Sequence, residues 1–81
     1  MTFRVRLFAR AKDLAGADTV RVELPAGATV ADLRQQLATQ CSALAGLLAR
    51  SAIAVDDEFA PDHWGLGEHA NVALLPPVSG G

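Results

Sequence analysis

The order of apolar patterns along the chain predicts an α+β fold, with one main helix packed on a mixed sheet. Two stretches near the N-terminus alternate with the period of a strand. One central stretch repeats with the period of a helix, and short apolar runs follow it, the last stopped by Pro76-Pro77.

Thr2 to Ala9 alternates, with Phe3, Val5 and Leu7 on one side and Arg4, Arg6 and Phe8 on the other. Lys12 to Asp18 breaks the pattern and holds the turn residues Asp13, Gly16 and Asp18, so it reads as a loose connection. Thr19 to Leu24 alternates again, through Val20, Val22 and Leu24, and can pair with the first strand as a hairpin. Pro25-Ala26-Gly27-Ala28 ends it. Thr29 then opens the helix as a cap, with Asp32 placed to complete a capping box. Val30, Leu33, Leu37 and Cys41 share one helical face, which makes Cys41 a partly buried packing residue. Ala43 to Arg50 is a second short helical turn, set apart by Ser42 and weakened by Gly46.

Ala52 to Val55 is a short apolar strand, Asp56-Asp57 a turn, and Glu58-Phe59-Ala60 a brief return strand. Pro61 to Ala70 is an irregular loop, in which Trp64 is expected to close the small core like a lid. Asn71 to Leu75 is the last strand, with Val72 and Leu74 on one face and Ala73 and Leu75 on the other. Proline cannot donate to a ladder, so Pro76-Pro77 stops it. A right-handed crossover through the helix makes the first and last strands parallel neighbours. That arrangement is the ubiquitin-like β-grasp, although the element order alone admits others.

Size and composition narrow the function. The 81 residues make one domain, divided here into a β-grasp body, 1–77, and a flexible C-terminal tail, 78–81. Hydrophobic residues are 51% of the chain, but 16 of them are alanine, leaving a core built chiefly of 11 Leu and 7 Val. Such a core holds a small fold and leaves no room for a deep cleft with its own catalytic cluster. A net charge of −2 excludes a strongly basic nucleic-acid binder. The single Cys41 excludes an internal disulfide and a cysteine-based zinc site. The longest apolar run, Ala43 to Ala49, is far shorter than the roughly twenty residues of a membrane span. No membrane partner is expected, and the cytoplasm is the default location. His63 and His69 read as surface residues, and Asp56, Asp57, Glu58, Asp62 and Glu68 as solvated turns that lack the spacing of a calcium loop.

The end of the chain is the most informative segment. At average glycine usage of about 7%, two terminal glycines arise by chance in roughly one chain in two hundred. Pro76-Pro77 stiffens the exit from the sheet, and Gly80 and Gly81 have no side chain to obstruct a narrow tunnel. A projecting terminal carboxylate of this kind suits activation by a partner enzyme. Acyl-adenylation makes its carbonyl attackable, and a sulfur nucleophile then leaves a thiocarboxylate. Attack by a lysine instead would make the chain a protein modifier.

Several stretches carry a specific resemblance. They are Val5-Arg6-Leu7-Phe8-Ala9-Arg10-Ala11 with Leu14-Ala15-Gly16, Leu24-Pro25 with Ala28-Thr29-Val30-Ala31-Asp32-Leu33, Ala54-Val55, and Val72 through Gly81. Together they resemble the small subunit of molybdopterin synthase, a ubiquitin-like sulfur carrier family. The resemblance implies a β-grasp fold and a Gly81 that is adenylated, converted to thiocarboxylate and used as sulfur donor to cyclic pyranopterin monophosphate. It implies three partners: an adenylating enzyme that uses ATP, a sulfur donor, and a large subunit that supplies the catalytic site and accepts Val78, Ser79, Gly80 and Gly81. It also implies a heterotetramer, with no cofactor or metal bound by this chain. Carriers serving thiamine, cysteine or tRNA thiolation, and a non-catalytic β-grasp interaction module, are the alternatives. Two departures stand out: Asp56 replaces the family's usual Asn, and Glu68-His69-Ala70-Asn71 replaces its usual Gly-Asp-Glu turn.

Phe8 and Leu75 are apolar on the face that strand alternation assigns to solvent. If the first and last strands are neighbours, the two form one patch, which Phe59 extends. With Pro76 and Pro77 this patch is the predicted partner-binding surface.

Overall fold

A computed structural model describes residues 1–77; the tail residues 78–81 lie outside the described residues. The elements in chain order are β1 (Thr2–Leu7), α1 (Ala9–Ala15), β2 (Thr19–Glu23), α2 (Val30–Gln40), a 3₁₀ turn (Ser42–Leu44), α3 (Ala45–Leu48), β3 (Ala52–Val55), β4 (Glu58–Phe59) and β5 (Val72–Leu75). The strands form one sheet in the order β2-β1-β5-β3-β4. β1 runs parallel to β5, and the other neighbouring pairs are antiparallel. The first and last strands are therefore the parallel centre of a ubiquitin-like β-grasp.

One sheet face carries the core. Phe3, Val5 and Leu7 of β1, Val22 of β2, Ile53 of β3 and Val72 and Leu74 of β5 are all 2% exposed or less. They meet Val30, Leu33 and Leu37 of α2 and Leu44, Leu47 and Leu48 after it, and Cys41 packs half-buried beside them. Each fully buried Leu or Val contributes about 1.5–3 kcal/mol over its exposed state.

The start of α2 is saturated. Thr29 Oγ1 accepts from Asp32 N at 3.3 Å, and Asp32 Oδ2 accepts from Thr29 N at 2.9 Å, completing the capping box. The amides of Val30 and Ala31 donate to the carbonyls of Trp64 and Asp62, both at 2.9 Å. The loop after β4 thus supplies acceptors that the helix itself lacks. Arg34 adds a side-chain link, its Nε 2.8 Å from Asp62 Oδ1.

Two expectations fail here. Lys12 to Asp18 is not an open turn, because Ala9–Ala15 forms α1 and β1 ends at Leu7. The run Ala9-Arg10-Ala11-Lys12 is rich in strong helix formers, and Gly16 ends the helix at φ 70°, a left-handed conformation suited to glycine. Asp13 and Gly16 obscured a helix only seven residues long. Trp64 is not a core lid. Its side chain is exposed (42%) while its backbone carbonyl caps α2, and Leu66, at 6%, fills the core beneath the loop.

Candidate functional site

The sheet's other face has a different character. Cα pairing aligns Arg6 with Ala73, Ala73 with Ala54, and Ala54 with Phe59, a row running across four strands. A second row pairs Leu75 with Ala52. Phe8 has extended backbone angles, φ −127° and ψ 156°. Continuing the Leu7–Leu74 register by one residue sets Phe8 opposite Leu75. The Arg6 guanidinium carbon lies 5.2 Å from the centroid of the Phe8 ring, so both side chains stand on this face as a cation–π pair.

The result is a shallow trough. Ala52, Ala54 and Ala73 form a floor of methyl groups, Phe8 and Arg6 one wall, and Phe59 the other. Phe59 is 73% exposed, Phe8 37%, and Leu75 half-buried between them. A large aromatic side chain standing this far into water gains little from its own fold. The structure therefore brings Phe8, Leu75 and Phe59 together on one surface. The alanine floor is the part that sequence reading left out. Its signal is the alternation that places Ala73 with Leu75, and small residues there let an opposing side chain approach the backbone.

β5 runs through the middle of this surface. It is the central strand between β1 and β3, and it leads directly into half-buried Pro76 and exposed Pro77. Val78, Ser79, Gly80 and Gly81, the predicted chemical end, lie outside the described residues.

The β3–β4 hairpin that carries Phe59 is held by a tight turn. Asp56 and Asp57 have φ values of 50° and 69°, the pair of positive angles that a two-residue type I′ turn needs. Asp56 is also tied to the start of β5. Its amide donates to the Asn71 carbonyl at 2.8 Å, and its Oδ1 accepts from the Asn71 amide at 3.0 Å. The two places where the sequence departs from the expected family pattern thus meet in space and bond to each other.

Other candidates do not assemble into chemistry. Among the described residues, no group of three His, Cys, Asp or Glu side chains could hold a metal ion. No helix among them is long and apolar enough to cross a membrane.

Comparison with known proteins bears on this geometry. The family model described as ThiS family matches residues 5–81. The molybdopterin synthase sulfur carrier subunit of Chlamydomonas reinhardtii is 31% identical over 83 aligned positions, covering 100% of both chains. The crystal structure of SAMP1 (small archaeal modifier protein 1) from Haloferax volcanii superimposes with a TM-score of 0.88 at 29% identity, covering 100% of both chains. A putative molybdopterin converting factor subunit 1 from Pyrococcus furiosus superimposes with a TM-score of 0.85 at 29% identity, over 96% of this chain and 99% of that one. The chain is thus a member of the ThiS family of ubiquitin-like sulfur carriers, related along its whole length to the sulfur carrier subunits of molybdopterin synthase.

Proposed function

We propose that this protein is the sulfur carrier subunit of a molybdopterin synthase, with Gly81 as its chemical end. The single observation that carries the proposal is the placement of β5. It runs through the middle of the exposed apolar trough and continues through Pro76-Pro77 toward Gly80-Gly81. A protein that docks on the trough is thereby positioned to receive the tail.

The chemistry has two balanced steps. The Gly81 carboxylate attacks the α-phosphate of ATP in an adenylating enzyme, giving an acyl-adenylate and releasing pyrophosphate. Sulfur delivered at the oxidation level of hydrosulfide then attacks the Gly81 carbonyl and expels AMP, and loss of the S–H proton leaves a thiocarboxylate. The large synthase subunit accepts Val78 to Gly81 and directs that sulfur to cyclic pyranopterin monophosphate. This chain contributes the donor atom and the docking face, through Phe8, Phe59, Leu75, Pro76 and Pro77, and the partner contributes the catalytic groups.

Intact-mass measurement tests the carrier step. Incubation with ATP, the adenylating enzyme and a sulfur source is expected to add the oxygen-to-sulfur difference at the C-terminus, and deletion of Gly81 to abolish it without changing the melting temperature. An unchanged mass with a competent activating enzyme refutes the reading. A second reading, attachment to lysines as a protein modifier, is favoured by one observation, the likeness to SAMP1. Its signature in the same experiment is a Gly81–lysine isopeptide on another protein.

A further inference from the structure

After β5, on the side of α1 and α3, lies a groove of about 780 Å³ lined by Ala9, Arg10, Asp13, Leu47, Arg50, Pro76 and Pro77. Arg10 projects from α1, and Arg50 follows α3. Among the described residues neither guanidinium forms an ion pair, the one salt bridge being Arg34–Asp62. Two arginines therefore face the groove with Asp13 as the one acid in its lining, in a chain whose net charge is −2. Most of the later acidic residues, Asp56 to Glu58 and Asp62, lie instead in the β3–β4 hairpin and the loop that caps α2. Ala9, Leu47 and the two prolines give the groove an apolar floor.

We infer that this groove receives an acidic segment of the adenylating enzyme, one bearing carboxylates at the mouth of the site that the tail enters. The inference rests on the proposed carrier function and extends it from the trough to a second contact. Two features select this occupant. The charge is complementary, because two arginine cations without an ion-pair partner among the described residues attract carboxylates. The groove is also lined by Pro76 and Pro77, the residues that immediately precede Val78 in the sequence, so a protein that receives the chain end has this groove within reach. Its role is orientation: attraction at this point turns the tail toward the active site during encounter, which governs association more than the chemical step.

The test is ATP–pyrophosphate exchange by the adenylating enzyme with the full chain as substrate, over a range of salt concentrations. Replacing both Arg10→Glu and Arg50→Glu is expected to raise KM about tenfold at low salt with kcat unchanged, and the gap to wild type should close as salt screens the attraction. The pair Arg10→Lys and Arg50→Lys should stay near the wild-type KM. Arg50→Ala, which adds no new charge, should raise it about threefold. Melting curves check that each variant is folded. An unchanged KM for the doubly reversed chain overturns the inference, as does a lysine pair as damaging as the glutamate pair, which would make shape rather than charge the cause. If wild type gives no exchange with a competent enzyme, the carrier function itself fails and this contact falls with it.

Discussion

On the inner face of the sheet Val5, Leu7, Ile53, Val72 and Leu74 are each 2% exposed or less, whereas on the outer face of the same strand layer Phe59 is 73% exposed and Phe8 37%. Residues that differ by one position along a strand thus have opposite environments. The inner face is large aliphatic and closed by α2. The outer face sets the small Ala73 and Ala54 beside the aromatic Phe59. Apolar surface that is buried pays for folding, and apolar surface left in water at a raised rim is available for association. The difference teaches that strand parity separates the apolar side chains that build the core from those left at the surface.

The comparison breaks most severely on the inner face. Leu37→Ala, at a site with no exposed surface, is expected to lower unfolding free energy by about 2–5 kcal/mol, read by urea denaturation. For a domain this small such a loss leaves a large unfolded fraction. On the outer face the reverse holds. Phe8→Asp and Phe59→Asp are each expected to weaken partner binding by about 2 kcal/mol, measured by calorimetry, while shifting stability by no more than about 0.5 kcal/mol. Unfolding of the Phe8 variant would mean that this ring supports the core.

Two smaller effects sharpen the contrast by acting on what holds each face in place. Thr29→Ala removes one half of the capping box on the helix that covers the inner face, and should cost about 1 kcal/mol. Asp57→Gly relaxes a residue held at φ 69° in the hairpin that presents Phe59. It should raise stability by about 0.5–1 kcal/mol with partner affinity unchanged. A drop in the melting temperature of that variant would mean that the Asp57 side chain contributes more than its backbone strain costs.

Much of this arrangement is legible in the sequence because its signals are local. Alternation placed Phe3, Val5 and Leu7 opposite Arg4, Arg6 and Phe8, and Val72 and Leu74 opposite Ala73 and Leu75. The Thr29–Asp32 spacing announced the capping box that forms. The features that escaped notice have non-local causes. α1 is too short for a period to show, and Gly16 reads equally as a turn residue and as a helix stop. Trp64 has the composition of a core residue, but the fold uses its carbonyl, 2.9 Å from the Val30 amide, and leaves its ring in water. The Asp56–Asn71 bonds join residues from two different loops, which no local pattern connects.

The sequence by itself determined the strands, the main helix α2, the face each strand turns inward, and the family, because these follow from side-chain period, capping chemistry and the shared motifs of a full-length resemblance. Only the tertiary structure decided which outward residues meet. Register across β1, β5, β3 and β4 aligns Arg6, Ala73, Ala54 and Phe59 into one row, and the fold brings Arg10 of α1 and Arg50 after α3 to the same groove as Pro76 and Pro77. The physical reason is that a strand's period specifies direction, up or down, whereas neighbours are set by hydrogen-bond register and crossover between segments far apart in the chain.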